Sequence, residues 1–327
     1  MMCFFRFMSP VIFEQSIIAV IILIMSRLSI FILSSFIFIG LSVQAENRIV
    51  PGSNVSESNT NPSKQAKKVH RENGRPNWKL GIALYAFHTF SFPKQLELAD
   101  SAGIKYVEGF SFAGAGPELR DSMIMQLSPA GADKIKKYLV DKKIRMTSIF
   151  LTGGNNAAEW EKQFQMAKRL NVEYVTAEPD VKMWNMVDSL AGVYKLKVAI
   201  HNHWKGVSAY WSPDSVLAAI KNHPNFGACP DLGHWPKSGI DVVEGLKKLQ
   251  GHIIGIHLKD IAMKNHPELK DVPIGTGIID FPAVFRELKR QNYKGYLMIE
   301  RDAEEKPSNL VSVIGEIRYY HKEVSKL

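Results

Sequence analysis

From Leu80 to its C-terminus, the chain alternates short apolar runs with amphipathic runs eight times. The apolar runs predict strands of a parallel sheet, because helices cover both faces of such a sheet and its strands are buried throughout. The predicted strands are Leu80–Tyr85, Lys105–Gly109, Arg145–Phe150, Tyr174–Glu178, Lys197–Asn202, Phe226–Asp231, Ile253–Leu258 and Tyr296–Glu300. The amphipathic runs predict helices over 93–103, 129–142, 157–170, 181–194, 213–221, 242–249, 281–291 and 308–324.

Eight strand–helix units within residues 79–327 predict a single α/β domain, a (β/α)₈ or TIM barrel. The main alternative is an open doubly wound sheet, which favours a glycine-rich turn after the first strand. The segment Tyr85–Phe90 contains no glycine, which favours the barrel. A barrel brings the C-terminal ends of all its strands to one mouth, so side chains distant in sequence are expected to converge there.

Residues 1–45 have the pattern of a secretory signal peptide. Arg27 precedes a long apolar stretch, and Val43 and Ala45 stand at the −3 and −1 positions of a cleavage site after Ala45. The stretch before Met25 is also apolar, so Met25 is an alternative true start. We expect an exported, periplasmic protein with no stable membrane contact after cleavage. The alternative is an uncleaved membrane anchor.

Residues 46–78 are rich in Asn, Ser, Lys and Pro and lack hydrophobic periodicity, which predicts a flexible polar linker. Cys229 is the only cysteine beyond residue 45, so no internal disulfide is expected. The formal charge of the whole chain is +9, but no basic stripe interleaved with aromatic residues is present. This pattern argues against a nucleic-acid partner. The oligomeric state is left open.

Four predicted strands end in side chains that bind divalent cations. These residues are Glu178, Asp231, His257 and Glu300, on the fourth, sixth, seventh and eighth strands. Carboxylates gathered at one mouth repel each other unless a cation or a bound proton offsets their charge. We therefore predict one divalent metal ion at these four residues, with Mn²⁺, Co²⁺, Zn²⁺ or Fe²⁺ suiting the donor set better than Mg²⁺. Considered singly, each of these residues could instead form a salt bridge or cap a helix.

Other polar and aromatic side chains lie at or just beyond the strand ends. His201 and His203 share one face of the fifth strand, and His203, nearer the strand end, is the preferred acid–base group. Predicted catalytic residues are Glu178, Glu300, His203 and Lys259. Predicted substrate-binding residues are Glu108, His201 and His234, which offer polar groups to substrate hydroxyls, and Trp204 and Trp235, whose aromatic faces can pack against a sugar ring. The alternatives are core packing, capping and, for Lys259, an ion pair with Asp260.

At these residues the chain resembles the xylose isomerase-like barrel superfamily. The segment Asp231–His234 resembles the family's Asp-Thr-Gly-His, and Ile256–Asp260 resembles its His-Leu-Lys-Asp. The loop Pro273–Phe281 and Glu300 also match, and the resemblance extends from Leu80 to the C-terminus. It implies metal binding by Asp231, His257 and Glu300.

The chain departs from parts of this superfamily. Ketose epimerases and repair enzymes of the endonuclease IV type carry a glutamate ligand on the fifth strand, where this chain has His201. Glu178 looks like the replacement carboxylate, as in the inosose dehydratase-like branch. The segment Met263–Glu268 lacks the additional Asp-x-His pair of the repair enzymes, which argues against a three-metal cluster.

The resemblance implies a metal-dependent isomerase or epimerase that abstracts a proton next to a carbonyl through enediolate chemistry. Export and the lack of a glycine-rich phosphate cradle favour an unphosphorylated keto-sugar or sugar derivative as substrate. One alternative is a lyase or hydrolase of 3-keto-glycosides, or a dehydratase, with the same fold. An alternative of another class is a non-catalytic sugar-binding barrel, which would be expected to lack a metal ligand.

The signal-peptide prediction is tested at the N-terminus of the exported protein. After expression of the full chain in a Gram-negative host, mass spectrometry of the periplasmic protein is expected to give Glu46 as its first residue, because Ala45 completes the cleavage site. The variant Ala45→Lys is expected to remain uncleaved. A wild-type protein that stays in the membrane with residues 25–45 attached would contradict the prediction.

Overall fold

The structure, a computed structural model, describes residues 76–327. The predicted signal peptide, and the predicted linker up to residue 75, lie outside the described residues. None of the helices between residues 76 and 327 has the length together with the hydrophobicity that crossing a bilayer takes.

Eight parallel strands form the wall of a barrel. The strands in chain order are β1 (Lys79–Ala83), β2 (Tyr106–Phe110), β3 (Arg145–Leu151), β4 (Tyr174–Ala177), β5 (Lys197–His201), β6 (Phe226–Cys229), β7 (Gly255–Leu258), the ribbon strands β8 (Asp260–Ile261) and β9 (Asp271–Val272), and β10 (Tyr296–Ile299). The sheet runs in the order β6-β5-β4-β3-β2-β1-β10-β7. Parallel bridges from Ala228 to Ile253 and from Asp231 to His257 join its two edges. The predicted (β/α)₈ barrel is confirmed.

Helices follow the strands and, apart from the short helix His234–Lys237 at the mouth, cover the outside of the barrel. They are α1 (Phe92–Ser101), α2 (Pro129–Asp141), α3 (Ala157–Arg169), α4 (Trp184–Tyr194), α5 (Pro213–Ile220), α6 (His234–Lys237), α7 (Val242–Lys248), α8 (Phe281–Arg290) and α9 (Leu310–Val324). Side chains that precede a helix accept hydrogen bonds from its first turn, as Ser128 and Asp280 do for α2 and α8. All predicted elements are present within three residues of their expected bounds.

Besides three short 3₁₀ helices (Leu84–Phe87, Pro117–Leu119 and Ile124–Gln126), two elements beside strand ends have no counterpart in the sequence prediction. The four-residue helix α6 follows β6, and the antiparallel ribbon of β8 and β9 follows β7. Both are shorter than the windows over which hydrophobic periodicity is read. They are relevant to function, because they lie directly beside strand ends that carry predicted site residues.

The apolar core between the barrel wall and the outer helices is continuous. Phe285 on α8 is fully buried, and its ring centroid lies 5.8 Å from Trp78, 5.9 Å from Phe281 and 5.5 Å from Tyr320. This cluster holds α8 and α9 against the barrel end opposite the mouth, where β1 begins.

We expect Phe285→Ala to lower the free energy of unfolding by about 3–5 kcal/mol, because it removes a buried ring and leaves a cavity. Urea unfolding followed by circular dichroism measures the change. The control Val311→Ala, at a position 79% exposed on α9, should stay within about 0.5 kcal/mol of the wild type. Equal losses in the two variants would show that the cluster is not part of the cooperative core.

Candidate metal centre

The ends of four neighbouring strands carry a compact group of buried polar side chains. His201 ends β5, Asp231 lies two residues beyond β6, His257 lies in β7, and Glu300 follows β10. One nitrogen or oxygen atom from each lies within 4.8 Å of those of the others. The barrel closure brings these residues together, since Asp231 bridges to His257 across the β6–β7 edge.

The atoms that converge in this group are buried and lack well-formed hydrogen bonds. Lys259 Nζ lies 2.9 Å from Asp231 Oδ2, and His257 Nδ1 contacts Glu300 Oε2. Even so, none of the four atoms (His201 Nε2, Asp231 Oδ2, His257 Nδ1 and Glu300 Oε2) makes a hydrogen bond of acceptable geometry to a residue between 76 and 327. Buried polar atoms are rarely left in this condition without an unseen ligand, water or ion. Two imidazole nitrogens and two carboxylate oxygens form a donor set that fits one divalent cation.

The far nitrogen of each imidazole lies next to a carboxylate. His201 Nδ1 is 2.8 Å from Glu178 Oε1, and His257 Nε2 is 2.9 Å from Glu108 Oε1. Such carboxylates fix the tautomer and orientation of a metal-binding histidine. With the proton on the far nitrogen, His201 Nε2 and His257 Nδ1 present their lone pairs to the centre of the group.

Glu178, predicted as a metal ligand, lies outside the four-residue group and behind His201, where it forms a second group of possible ligands with His201 and His203. Its carboxylate accepts hydrogen bonds from His201 Nδ1, from His203 Nδ1 at 2.5 Å and from the Ser208 hydroxyl. The ring of His201 lies between Glu178 and Asp231, with Nε2 3.7 Å from Asp231 Oδ2. His201, predicted to bind substrate, therefore takes the place expected for Glu178 in the four-residue group.

Glu108 also differs from its predicted position. It is fully buried inside the barrel, where its Oε2 accepts hydrogen bonds from Ser148 at 2.6 Å and Thr176 at 2.7 Å. Substrate at the mouth cannot reach this carboxylate directly, because His257 lies against it. The expected substrate contact is corrected to a supporting role for His257.

Lys259 is fully buried beside the group and contacts three carboxylates. Its Nζ lies 2.9 Å from Asp231 Oδ2, 3.4 Å from Glu300 Oε1 and 3.0 Å from both oxygens of Asp302. Burial alone would lower the pKa of Lys259, but the three carboxylates raise it well above the ordinary value, so the side chain stays charged. The neighbouring Asp260 is not its partner.

Asp302 is a member of the site that sequence reasoning missed. It lies beyond the end of β10 in an irregular segment, where no periodic pattern marks a residue as facing the mouth. Its only signal in the sequence is its proximity to Glu300.

A cavity of about 370 Å³ opens above the group. It is lined by Tyr85, Phe110, Phe112, Phe150, His201, His203, Trp204, Lys270, Glu300 and Asp302. Of the predicted substrate-binding residues, His201 and Trp204 line this cavity. His203 and Glu300, predicted as catalytic, line it as well.

Two predicted substrate-binding residues lie elsewhere. Trp235 is fully buried, and its ring packs so closely on Gly245 that a Cβ atom there would lie 2.7 Å from it, which makes Trp235 a core residue. His234 is buried behind the group, 3.3 Å from Asp231 Oδ2, and its ring stacks on His203 at 4.7 Å. Neither side chain is placed to contact substrate in this cavity.

The chain belongs to the xylose isomerase-like TIM barrel family, whose model matches residues 96–316. An inosose dehydratase from Clostridium perfringens is 30% identical over 158 residues, which cover 44% of this chain and 53% of that protein. A putative L-ribulose-5-phosphate 3-epimerase from Escherichia coli is 30% identical over 141 residues, covering 42% and 48%. The chain thus spans about half the length of these curated relatives.

Solved structures share the whole barrel. A putative uncharacterized protein from Parabacteroides distasonis is 31% identical with a TM-score of 0.60, and the match covers 76% of this chain and 99% of that one. The IolI protein, whose structure contains a bound zinc atom, is 19% identical with a TM-score of 0.63, covering 76% and 98%. The second likeness is one of fold alone.

The carboxylate behind His257 is expected to support metal binding. Glu108→Gln keeps the side-chain shape but removes the charge facing the His257 ring, so we expect the affinity for Zn²⁺ to fall about 10–100-fold. Competition with a chromophoric chelator measures this affinity.

The matched control is Glu287→Gln, a buried glutamate that pairs with Arg290 on α8 and should leave the affinity unchanged. His257→Ala should abolish tight binding. Wild-type affinity in both Glu108→Gln and His257→Ala would show that the four-residue group is not a metal centre.

Proposed function

We propose that the chain is a divalent-metal-dependent enzyme of the isomerase or epimerase type. It removes a proton from the carbon next to a carbonyl of an unphosphorylated keto-sugar or sugar derivative. The observation that carries the proposal is the convergence of four buried ligand atoms, from His201, Asp231, His257 and Glu300, at the floor of an open cavity. The relatives named as inosose dehydratase and ribulose-phosphate epimerase support enzymatic activity.

The four residues of the group would hold the ion. When bound, a divalent cation acts as a Lewis acid that stabilises negative charge developing on a carbonyl oxygen. Two nitrogen and two oxygen donors suit Mn²⁺, Co²⁺, Zn²⁺ or Fe²⁺ better than Mg²⁺, which prefers oxygen ligands.

We infer that His203 moves the proton. It lines the cavity, and its Nδ1 donates to Glu178, so Nε2 carries the lone pair. Burial alone would raise the pKa of Glu178, but the hydrogen bonds and charges of His201 and His203 hold it below its ordinary value. A carboxylate fixed in this way stabilises the imidazolium that forms when His203 takes a proton. Glu178 thus acts through His203.

Lys259 supplies a fixed positive charge on the other side of the group. Its ammonium group contacts Glu300 and Asp302, which both line the cavity. It offsets their negative charge, and because it is buried and does not line the cavity it acts through these carboxylates rather than by contacting substrate. Glu300, also a candidate base, is engaged by His257 and Lys259, which makes it less available than His203.

The composition of the cavity lining favours an uncharged substrate. Its lining includes two carboxylates and a single lysine, Lys270, and no arginine. Export, predicted from residues 1–45, would bring the enzyme to unphosphorylated sugars. Return of the proton to a second carbon isomerises, and return to the opposite face epimerises. Loss of a β-substituent after the same first step would instead give dehydration or cleavage of a 3-keto-glycoside.

The shared first step is tested by hydrogen exchange. In D₂O, the metal-loaded enzyme is expected to incorporate deuterium next to the carbonyl of keto-sugars, read by NMR and mass spectrometry. His203→Ala should slow this exchange about 10²–10⁴-fold, because the variant lacks the base. Its metal content should be unchanged, since His203 is not in the four-residue group.

The control is His252→Ala, an exposed histidine far from the mouth. Product masses separate interconversion from loss of water or of an alcohol. Binding of sugars without any deuterium incorporation would overturn the proposal in favour of a non-catalytic sugar-binding barrel.

A further inference from the structure

We propose that the substrate carries a second six-membered ring, which stacks on an aromatic wall formed by Tyr85, Phe110, Phe112 and Phe150. This inference rests on the proposed function and names its substrate class as a glycoside rather than a free monosaccharide. The wall begins beside the candidate metal centre and extends to the rim of the barrel mouth.

The aromatic rings form an unbroken series. Phe150 contacts His201 with a centroid distance of 5.5 Å, and Phe110 stacks on Phe150 at 5.6 Å with the ring planes 16° apart. Phe112 follows at 5.5 Å from Phe110, and Tyr85 lies 5.4 Å from Phe110 and 6.2 Å from Phe112. All four aromatic residues line the cavity.

The length of the wall exceeds what one sugar ring can cover. A pyranose and a phenyl ring each have six ring atoms, so a sugar reacting at the metal centre would cover about one ring of the series. The outer rings would then remain uncovered, and Phe112 at the rim is 37% exposed. Exposed aromatic surface continuous with a binding cavity indicates a ligand that covers it.

Trp204 faces this wall from across the mouth. It follows β5, and Tyr85 follows β1, four strands apart in a barrel of eight, which places the two side chains on opposite sides. The indole ring is held from behind by Lys237, with Nζ 4.6 Å from its centroid, and by the His234 ring at 5.2 Å. The two sides form an aromatic slot that leads outward from the metal centre.

The chemistry of the slot defines the second ring. Aromatic side chains pack against the C–H face of a sugar and against an aryl ring alike, and neither requires a charged partner. Lys270 is the only lysine or arginine that lines the cavity, and the carboxylates of Glu300 and Asp302 lie in the same lining, so the cavity has no cluster of basic side chains for a charged second group. The second ring is therefore uncharged and is either a sugar or an aryl group.

Isothermal titration calorimetry with phenyl β-D-glucoside, cellobiose and methyl β-D-glucoside tests the inference. We expect the phenyl glucoside, cellobiose or both to bind about 3–10-fold more tightly than the methyl glucoside, the gain of one added ring stacking contact. In Phe112→Ala and in Phe112→Leu, which keeps an apolar side chain, this preference should fall to about twofold or less.

The control Ile278→Ala, at a position 47% exposed and outside the cavity, should keep the preference. Tighter binding of only one ringed probe identifies the second ring as aryl or sugar and supports the inference. Equal affinity for all three probes, undetectable binding of the ringed probes, or a preference untouched in both Phe112 variants would overturn it. If the calorimetry overturns the inference but the enzyme still incorporates deuterium into a monosaccharide, the inference of a second ring is wrong and the proposed function remains supported.

Discussion

The concentration of negative charge at the barrel mouth is the constraint on which the rest of the site depends. The carboxylates of Asp231 and Glu300 are buried, and both contact the Lys259 ammonium group. Asp302 is a third carboxylate in contact with the same ammonium group. Burial alone would lower the pKa of His201, but Asp231 and Glu178 raise it to about 9. Burial likewise opposes a charged His257, but Cys229, Glu300 and Glu108 together raise its pKa well above the ordinary value. The pocket thus favours positive charge at its centre, and protons on these histidines and a divalent cation compete for that place.

A closed barrel is suited to assembling such a centre. Each of the four residues comes from a different strand, and parallel strands place their C-terminal ends at one rim. The barrel interior beneath the rim is also polar. There the hydroxyl groups of Ser148 and Thr176, on neighbouring strands, donate hydrogen bonds to the Glu108 carboxylate. Elsewhere the strands present apolar side chains to a continuous core, so the polar centre is surrounded by packing that keeps it in place.

The sequence predicted the barrel and three of the four converging residues because both follow from periodicity and strand ends. It did not separate His201 from Glu178, since both stand at strand ends and only the three-dimensional arrangement shows whose side chain lies nearer the centre. Trp235 looked like a mouth residue because it follows a strand end, yet the helix α6 turns it into the core against Gly245. Asp302 lies in a segment whose path depends on tertiary contacts, so no local pattern reveals it.

Those tertiary contacts show how irregular segments acquire a fixed geometry. Asp271, on β9, accepts hydrogen bonds from the backbone N–H groups of Asp302 and Ala303 and from Arg301 Nε at 2.5 Å. The ribbon pairs β9 with β8, which begins directly after Lys259. The segment carrying Asp302 and the strand end carrying Lys259 are therefore tied to one small element. Lys259 and Asp302 form an ion pair, and both are anchored to this ribbon. The ribbon therefore fixes the position of the Lys259 charge, which the end of β7 alone would not do.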